Sequence, residues 1–356
     1  MNILQTHYIE QNEVFNNNVR EAQTRSIYNI AITSGIFLLF MLLFVNIYFA
    51  GMFTLFVKFI AAVSGLCVSL FTSESYEIAF DHIYTLLGTT ESAYVFHIII
   101  SVITTTLPFL YLMKKAGLKF TDGFKVNINM PKKFWLYVPF TLGAGYIVNL
   151  IIHFLFDDML ERFTAPQALL PSNPTGIVLY YVLLAFIPAI FEEWAFRGIL
   201  LRSLLPYGKG FALIVSSVLF GLMHISPPQV IFATTFGLLS GFLYIKTGTI
   251  WYGVLIHLIN NAYSATNGFV LFFKGEESIE VILLSIITLL IIITAIIGII
   301  YFSRSGYFRV NLLHYVNPPD KPRLSFSQYF NLSLINGFTL FFIVLYSVVL
   351  WLEYFY

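Results

Sequence analysis

Apolar runs alternate with short polar connections along nearly the whole chain. A helix needs roughly 20 predominantly apolar residues to cross the hydrocarbon of a bilayer. Runs that meet or approach this length lie at 30–50, 52–71, 93–113, 134–156, 177–200, 211–225, 230–245, 250–273, 281–302 and 335–352. The pattern predicts an all-α fold, a polytopic transmembrane helical bundle of about 8–10 spans. The run at 52–71 has more than one reading, because it contains Lys58 and follows the first run almost without a turn. It fits a span, a re-entrant segment or an interfacial helix, with Lys58 either snorkelling to the headgroups or lining the segment.

Composition agrees with the pattern. Soluble domains carry about 25% charged residues, whereas here the share is 10%, against 58% hydrophobic. The net charge of +1 conceals a segregation by connection. Lys114, Lys115, Lys119, Lys125, Lys132 and Lys133 fill one connection, Arg202 and Lys209 another, and Arg304, Arg309, Lys321 and Arg323 a third. The alternate connections are acidic, with Glu74, Glu77, Asp81 and Glu91, then Asp157, Asp158 and Glu161, then Glu276, Glu277 and Glu280. Lys and Arg accumulate on the cytoplasmic side of membrane proteins, which puts the Arg197 end of its helix near that side. Trp135, Trp251 and Trp351 stand near span ends, where interfacial belts form. No basic face is dense enough for nucleic acid. Cys67 is the single cysteine, so an intrachain disulfide and a cysteine metal cage are both excluded. Residues 1–26 are polar and lack the charged start and short apolar core of a cleavable signal peptide. The stretches 124–133 and 315–327 read as ordinary loops, the latter holding Pro318, Pro319 and Pro322.

Three polar constellations interrupt the apolar helices. Ionisable groups at membrane depth cost at least ~2.5–3.5 kcal/mol each on insertion scales, so they mark function by default. The first is Glu192-Glu193-x-x-x-Arg197. Residues four apart share a helix face, so Glu193 pairs with Arg197, while Glu192 is turned away by about 100°. The second is Phe220-Gly-Leu-Met-His224, followed by Ile225, Ser226 and Pro227-Pro228. Phe220 and His224 share a face, so the ring can limit the imidazole's rotation and wetting. The third is His257-Leu-Ile-Asn-Asn261, after Thr247-Gly-Thr-Ile-Trp251. Here His257 and Asn261 project together and Asn260 is rotated away. Taken singly, each has a bland reading: neutralised arginine, a hydrogen-bonded core histidine, or interhelical hydrogen bonding. His97 and His153 have no partnering motif and read as core hydrogen-bonding residues. Taken together, the three supply what peptide hydrolysis without a covalent intermediate needs. A Glu and a His hold and deprotonate a water, and a second His with an Asn amide donates to the developing oxyanion.

These stretches resemble the CAAX-protease and bacteriocin-processing (CPBP, or Abi) family of intramembrane proteases. The matching residues are F-E-E-W-A-F-R-G-I-L-L from Phe191, S-V-L-F-G-L-M-H from Ser217, and T-G-T-I-W-Y-G-V-L-I-H-L-I-N-N from Thr247, in the family's order. The resemblance implies that Glu192 is the catalytic base, that His224 helps to activate water, and that His257 and Asn261 form the oxyanion site. Glu193, Arg197 and Phe220 are the supporting residues. The resemblance covers roughly 177–263 and implies a catalytic core at 176–273, while the hydropathy pattern divides the remainder into a polar segment 1–29, N-terminal spans 30–175 and C-terminal spans 274–356. The partners it implies are a peptide or membrane-protein substrate and the lipid bilayer. Its commonest setting is the bacterial plasma membrane, with the active site towards the cytoplasmic side.

The family has been described both as metalloproteases and as glutamate-dependent. Zinc prefers His, Cys and carboxylate, Asn is a poor ligand, and no His-Glu-x-x-His motif is present. The expectation is therefore a metal-free, cofactor-free mechanism, with a divalent metal such as zinc as the alternative. Two further readings stay open. One is a non-proteolytic membrane adaptor or bacteriocin-immunity protein on the same fold. The other is a transporter, which would be expected to show paired broken helices in two related halves.

Overall fold

The computed structural model describes residues 52–124, 134–160, 170–224 and 227–306 without a break, with scattered positions in 17–36 and 327–348. Among the described residues the secondary structure is helical, with no strand. In chain order the helices are α1 (Met52–Phe71), α2 (Tyr76–Leu87), α3 (Thr90–Lys115), α4 (Phe134–Leu160), α5 (Pro174–Tyr207), α6 (Lys209–Leu222), α7 (Pro227–Thr247), α8 (Trp251–Lys274) and α9 (Ile279–Arg304). Six of them, α1, α3, α4, α5, α7 and α9, are long and apolar enough to cross a membrane. The chain is an integral, multi-pass membrane protein. Most of the apolar runs 30–50 and 335–352 lies outside the described residues, as do the basic loop 125–133 and nearly all of 315–327.

The two remaining long runs of the bundle depart from a simple span for physical reasons. Helix α6 has 14 residues, about 21 Å at 1.5 Å per residue, short of the roughly 30 Å of hydrocarbon. Helix α8 is long enough at 24 residues, but His257, Asn260, Asn261, Ser264, Thr266 and Asn267 lower its hydropathy. Met52–Phe71, ambiguous by sequence, is one unbroken helix with Lys58 on its exposed side. Helix α2 was not apparent in the hydrophobic pattern because its acids look like a loop. It starts where Ser75 accepts from the Ile78 N–H, with Glu77 in the first turn, an arrangement that favours a helix N-terminus.

Helix α5 runs through the middle of the molecule. Asn173 caps it by accepting from Gly176 N–H at 2.8 Å, and Pro174 occupies its first turn, the position where a missing N–H costs nothing. The Asn173 amide also donates to Glu91 at the start of α3, tying the acidic ends of the two helices. Two segments of α5, Val182–Phe186 and Trp194–Leu201, are wound more widely, with i→i+5 hydrogen bonds. Such bulges are rare and occur frequently at functional sites. Every residue from Trp194 to Leu201 is buried.

Around α5 the other helices are joined by side-chain hydrogen bonds as well as packing. Tyr181 meets Thr266 at 2.8 Å, Tyr263 donates to the Leu284 carbonyl at 2.6 Å, and Tyr137 donates to the Leu239 carbonyl at 2.9 Å. These tie α5 to α8, α8 to α9 and α4 to α7, a use of polar side chains common in membranes. At the basic end a tight turn, Phe120–Asp122, covers α5. Phe120 and Phe124 lie 5.2 and 6.3 Å from the Trp194 ring, and Arg202 donates to the Asp122 carbonyl at 2.6 Å. Of the two isolated histidines, His97 is buried, whereas His153 is exposed on α4. The core reading therefore fails for His153, because α4 turns that face outward.

Helix α9 presents Ile282, Leu283, Ile286 and Leu290 outward and meets α4 through Ala295, Gly298 and Phe302. The closest approach is at Gly143, where an added Cβ would lie 2.5 Å from both the Ile291 carbonyl oxygen and Ala295 Cβ. Alanine usually gains up to ~1 kcal/mol over glycine within a helix, but a backbone oxygen cannot rotate aside, and overpacking costs about 1–3 kcal/mol. Gly143→Ala is expected to lower the thermal unfolding midpoint of the detergent-solubilised protein. A raised midpoint would show that helix propensity outweighs the contact.

Candidate active site

The centre of the site is a buried ion pair within α5. Glu193 and Arg197 are one turn apart, and Glu193 Oε1 lies 3.1 Å from Arg197 Nη1. Both side chains are almost wholly removed from solvent, at 0% and 2% exposure. The guanidinium is also held from outside its own helix. Its Cζ lies 4.3 Å from the centroid of the Phe220 ring of α6, a cation–π contact that gains strength where water is excluded. Phe196 meets the same ring edge-on at 5.1 Å and 81°.

Helix α8 brings His257 up to the carboxylates of α5. Its Nδ1 lies 3.4 Å from Glu193 Oε1, and its Nε2 lies 3.9 Å from Glu192 Oε2. Glu192 does diverge from Arg197, as helical geometry requires, yet the imidazole is long enough to face both acids. Glu192 and Glu193 therefore belong to one cluster. Phe236 of α7 and Phe220 of α6 flank the imidazole, with ring centroids 5.1 and 6.0 Å away. One turn before His257, Gly253 leaves room for the Glu193 carboxylate, since a Cβ there would fall 2.6 Å from Oε2.

His224 stands just beyond the end of α6, beside Phe220 at 5.4 Å between ring centroids. Its Nδ1 is 3.1 Å from the Phe220 carbonyl oxygen. A carbonyl only accepts, so Nδ1 carries the proton and Nε2 is left as the acceptor. Phe220 thus touches both histidines and the arginine. Ile225 and Ser226, which follow His224, lie outside the described residues.

Asn261 sits one turn beyond His257, and its Nδ2 donates to the Leu184 carbonyl of α5 at 3.1 Å. A regular helix would bond that carbonyl to the N–H of residue 188, but Pro188 has none. Asn260 is not turned away from the group: it is buried, and its Nδ2 donates to Asn261 Oδ1 at 3.1 Å. Spacing alone misses this because the two amides are long enough to meet around the helix. The second N–H of Asn261 Nδ2 is left for another acceptor.

Several polar atoms of this cluster make no hydrogen bond. They are Glu192 Oε2, both Glu193 carboxylate oxygens, both terminal nitrogens of Arg197, His257 Nδ1 and, on α7, Ser240 Oγ. Ion-pair contacts and packing hold the carboxylates, which leaves donors and acceptors for a polar guest such as a peptide group. The donor set makes a poor zinc cage. Among the described residues no group of three His, Cys, Asp and Glu is placed to hold one metal ion: Glu192 and Glu193 face opposite nitrogens of the His257 ring, and Glu193 is already engaged by the Arg197 guanidinium. Counted from Arg202, Glu192 lies about 15 Å along the helix axis.

The site residues drawn from the motifs do not include Gly253, Phe236, Ser240, Asn260 or Pro188, all of which border the cluster. Two of these carry a signal in the chain itself. Gly253 is a glycine inside an apolar helical run, which points to close packing, and Pro188 lies four residues before Glu192 inside a helix. Nothing in the sequence marks Phe236 among so many phenylalanines.

Residues 174–263 match the family model described as type II CAAX prenyl endopeptidase Rce1-like. Over 91 residues the chain is 32% identical to a Bacillus subtilis (strain 168) protein described as "Putative membrane peptidase YdiL". That alignment covers 25% of this chain and 36% of the relative, so the chain spans little more than a third of the curated relative it matches. No solved structure matches. The family resemblance carried by the three motifs is borne out over this segment, which contains every residue from Glu192 to Asn261.

Removing one partner of a buried pair leaves an uncompensated charge, at about 3–5 kcal/mol. Arg197→Met is expected to destabilise the protein by about that amount. The double variant Glu193→Gln/Arg197→Met should lose clearly less than the sum of the single losses. A denaturant titration of the four proteins in detergent measures the coupling, and strict additivity would mean that the two groups do not share a charge.

Proposed function

We propose that this protein is an intramembrane endopeptidase that hydrolyses a peptide bond with water activated by Glu192. The observation that carries the reading is the His257 imidazole set between Glu192 and the Glu193–Arg197 pair, within the segment that matches the protease family.

In this reading Glu192 is the general base. It accepts a proton from a water as the oxygen attacks the scissile carbonyl, and afterwards gives the proton to the departing amine. His224, with Nε2 as acceptor, helps to orient that water. His257 and the remaining Asn261 N–H donate to the oxyanion of the tetrahedral intermediate. Glu193 and Arg197 fix the position of His257, while Phe220 sets the relative positions of both histidines and Arg197. Helix α8 is anchored to α5 through the Leu184 carbonyl, so Asn261 is placed before substrate arrives, the preorganisation that oxyanion stabilisation requires. The mechanism uses protein groups alone and no metal.

The substrate class is a peptide precursor, a leader or a CAAX-like membrane protein. The Lys- and Arg-rich connections support cleavage towards the cytoplasmic side of the membrane, and the resemblance to the protease family suggests that this is a bacterial plasma membrane. Both halves of a substrate chain would have to enter a bundle whose polar cluster is enclosed, which favours substrates already resident in the bilayer.

General-base catalysis contributes about 10²–10⁴-fold, and one oxyanion donor about 10²–10³-fold. Glu192→Gln, which keeps shape and removes the base, is expected to abolish defined cleavage products from host membranes at matched expression, read by mass spectrometry of the released and retained peptides. Once a product is known, Asn261→Ala should slow its formation by about 10²-fold with little effect on substrate binding. Identical peptide sets from Glu192→Gln and unaltered membranes, with the host phenotype intact, would transfer the function to a non-proteolytic adaptor.

A further inference from the structure

A second candidate site lies at the basic end of the bundle, away from the Glu192 cluster. A cavity of about 620 Å³ opens between the polar residues before the first spans, the end of α3 and the end of α5. Arg25, Lys115 and Arg202 contribute its cations, Glu21 its carboxylate, and Asn18 and Asn29 its amides. We propose that this cavity binds the phosphate headgroup of an anionic phospholipid.

Charge supports an anion here. Arg25 is paired with Glu21 at 3.4 Å, and Arg202 with Asp122 at 3.8 Å. Lys115 has no carboxylate within ion-pair distance among the described residues; its ammonium sits 5.5 Å from the Tyr111 ring centroid. One positive charge is therefore in surplus. Lys114 and Lys119, on the adjoining stretch, raise the local potential further. Both guanidiniums keep N–H groups beyond those used in their pairs, and guanidinium and ammonium groups together suit phosphate oxygens.

Position and shape favour a lipid over a soluble anion. Lys115 ends the apolar helix α3, and Arg202 is five residues from the end of α5, so both lie where hydrocarbon gives way to headgroups. Leu112, Leu118 and Ala22 line the cavity beside the cations, giving an apolar wall for the glycerol and the start of an acyl chain. The volume falls within the ~300–1,000 Å³ of small-molecule sites and exceeds what a phosphate ion fills. Basic pockets between membrane helices on the cytoplasmic side are a general form of headgroup recognition. Because Arg202 and Ser203 extend from the same helix as Glu192 and Glu193, an occupied cavity would also brace α5.

The experiment uses the purified full-length protein in detergent, titrated with dioleoylphosphatidylglycerol, dioleoylphosphatidylcholine or inorganic phosphate. Bound lipid is counted by native mass spectrometry, and the thermal midpoint is read in parallel. Phosphatidylglycerol is expected to bind and raise the midpoint, and phosphatidylcholine is not. Arg25→Gln/Lys115→Gln should weaken phosphatidylglycerol about thirtyfold, equivalent to about 1 kcal/mol per cation, while Arg25→Lys/Lys115→Arg retains it. If the double variant does not fold, Lys115→Gln alone, at an exposed position, is expected to weaken binding about fivefold by the same reckoning. Equal binding of the two lipids, or unaltered affinity in the Gln variants, overturns the proposal. A midpoint raised as much by inorganic phosphate as by phosphatidylglycerol reassigns the cavity to a soluble anion and overturns its lipid occupant. Proteolysis plays no part in these readouts, so the outcome is independent of the enzymatic reading.

Discussion

The structure depends on how a low-dielectric interior holds the charge of Arg197. An arginine cannot shed its proton, so burying it within the bundle requires a negative partner and a desolvated contact for the rest of the guanidinium. Glu193 supplies the first, at 3.1 Å, and the face of Phe220 supplies the second, at 4.3 Å. Those two demands fix α5 against α6. They also place a carboxylate where α8 must make room for it, which accounts for glycine at 253 and for the imidazole of His257 one turn on. The neighbouring acid, Glu192, then shares the imidazole without sharing the arginine.

A second constraint is the backbone of α5 itself. In hydrocarbon every peptide group needs a partner inside the protein, and a proline within a helix leaves a carbonyl without its usual one. Pro188 does this to Leu184, and the Asn261 amide takes the place of the missing N–H. The same bond orients a side chain of the polar cluster, so a local irregularity and a site residue are one feature. Two wide segments bracket the Glu192–Glu193 turn, and the stretch after it is buried throughout. The most irregular helix is thus also the most enclosed.

Solvent explains the contrast with α9. That helix is apolar on nearly all sides and meets the protein through a narrow strip at Ala295, Gly298 and Phe302, because lipid accepts the remainder. Helix α8 has the opposite character: its polar face would be costly against lipid, and it is satisfied by α5 and α9. The outward face of α9 is thus apolar, whereas the polar groups of α5 and α8 are gathered inside, within a core that is itself largely apolar.

The sequence by itself determined the class of protein, most helices and three groups of chemically capable residues, because hydropathy over 20 residues and i,i+4 spacing are properties of single helices. It also implied the Glu193–Arg197 pair and the contact of Phe220 with His224, both of which lie within one helical stretch. Contacts between helices were decided only by the tertiary structure: His257 facing two carboxylates, Asn261 on the Leu184 carbonyl, Gly253 beside Glu193, and the cavity around Lys115. Those depend on rotation and depth of one helix against another, which no local period encodes. The same reason hid Asn260, which looked averted on an isolated helix and proved to be hydrogen-bonded to Asn261. Helix α2 escaped for a different cause, since at 12 residues it is too short to fill a window that reveals a span, and Glu77 and Asp81 resemble the acids of a loop.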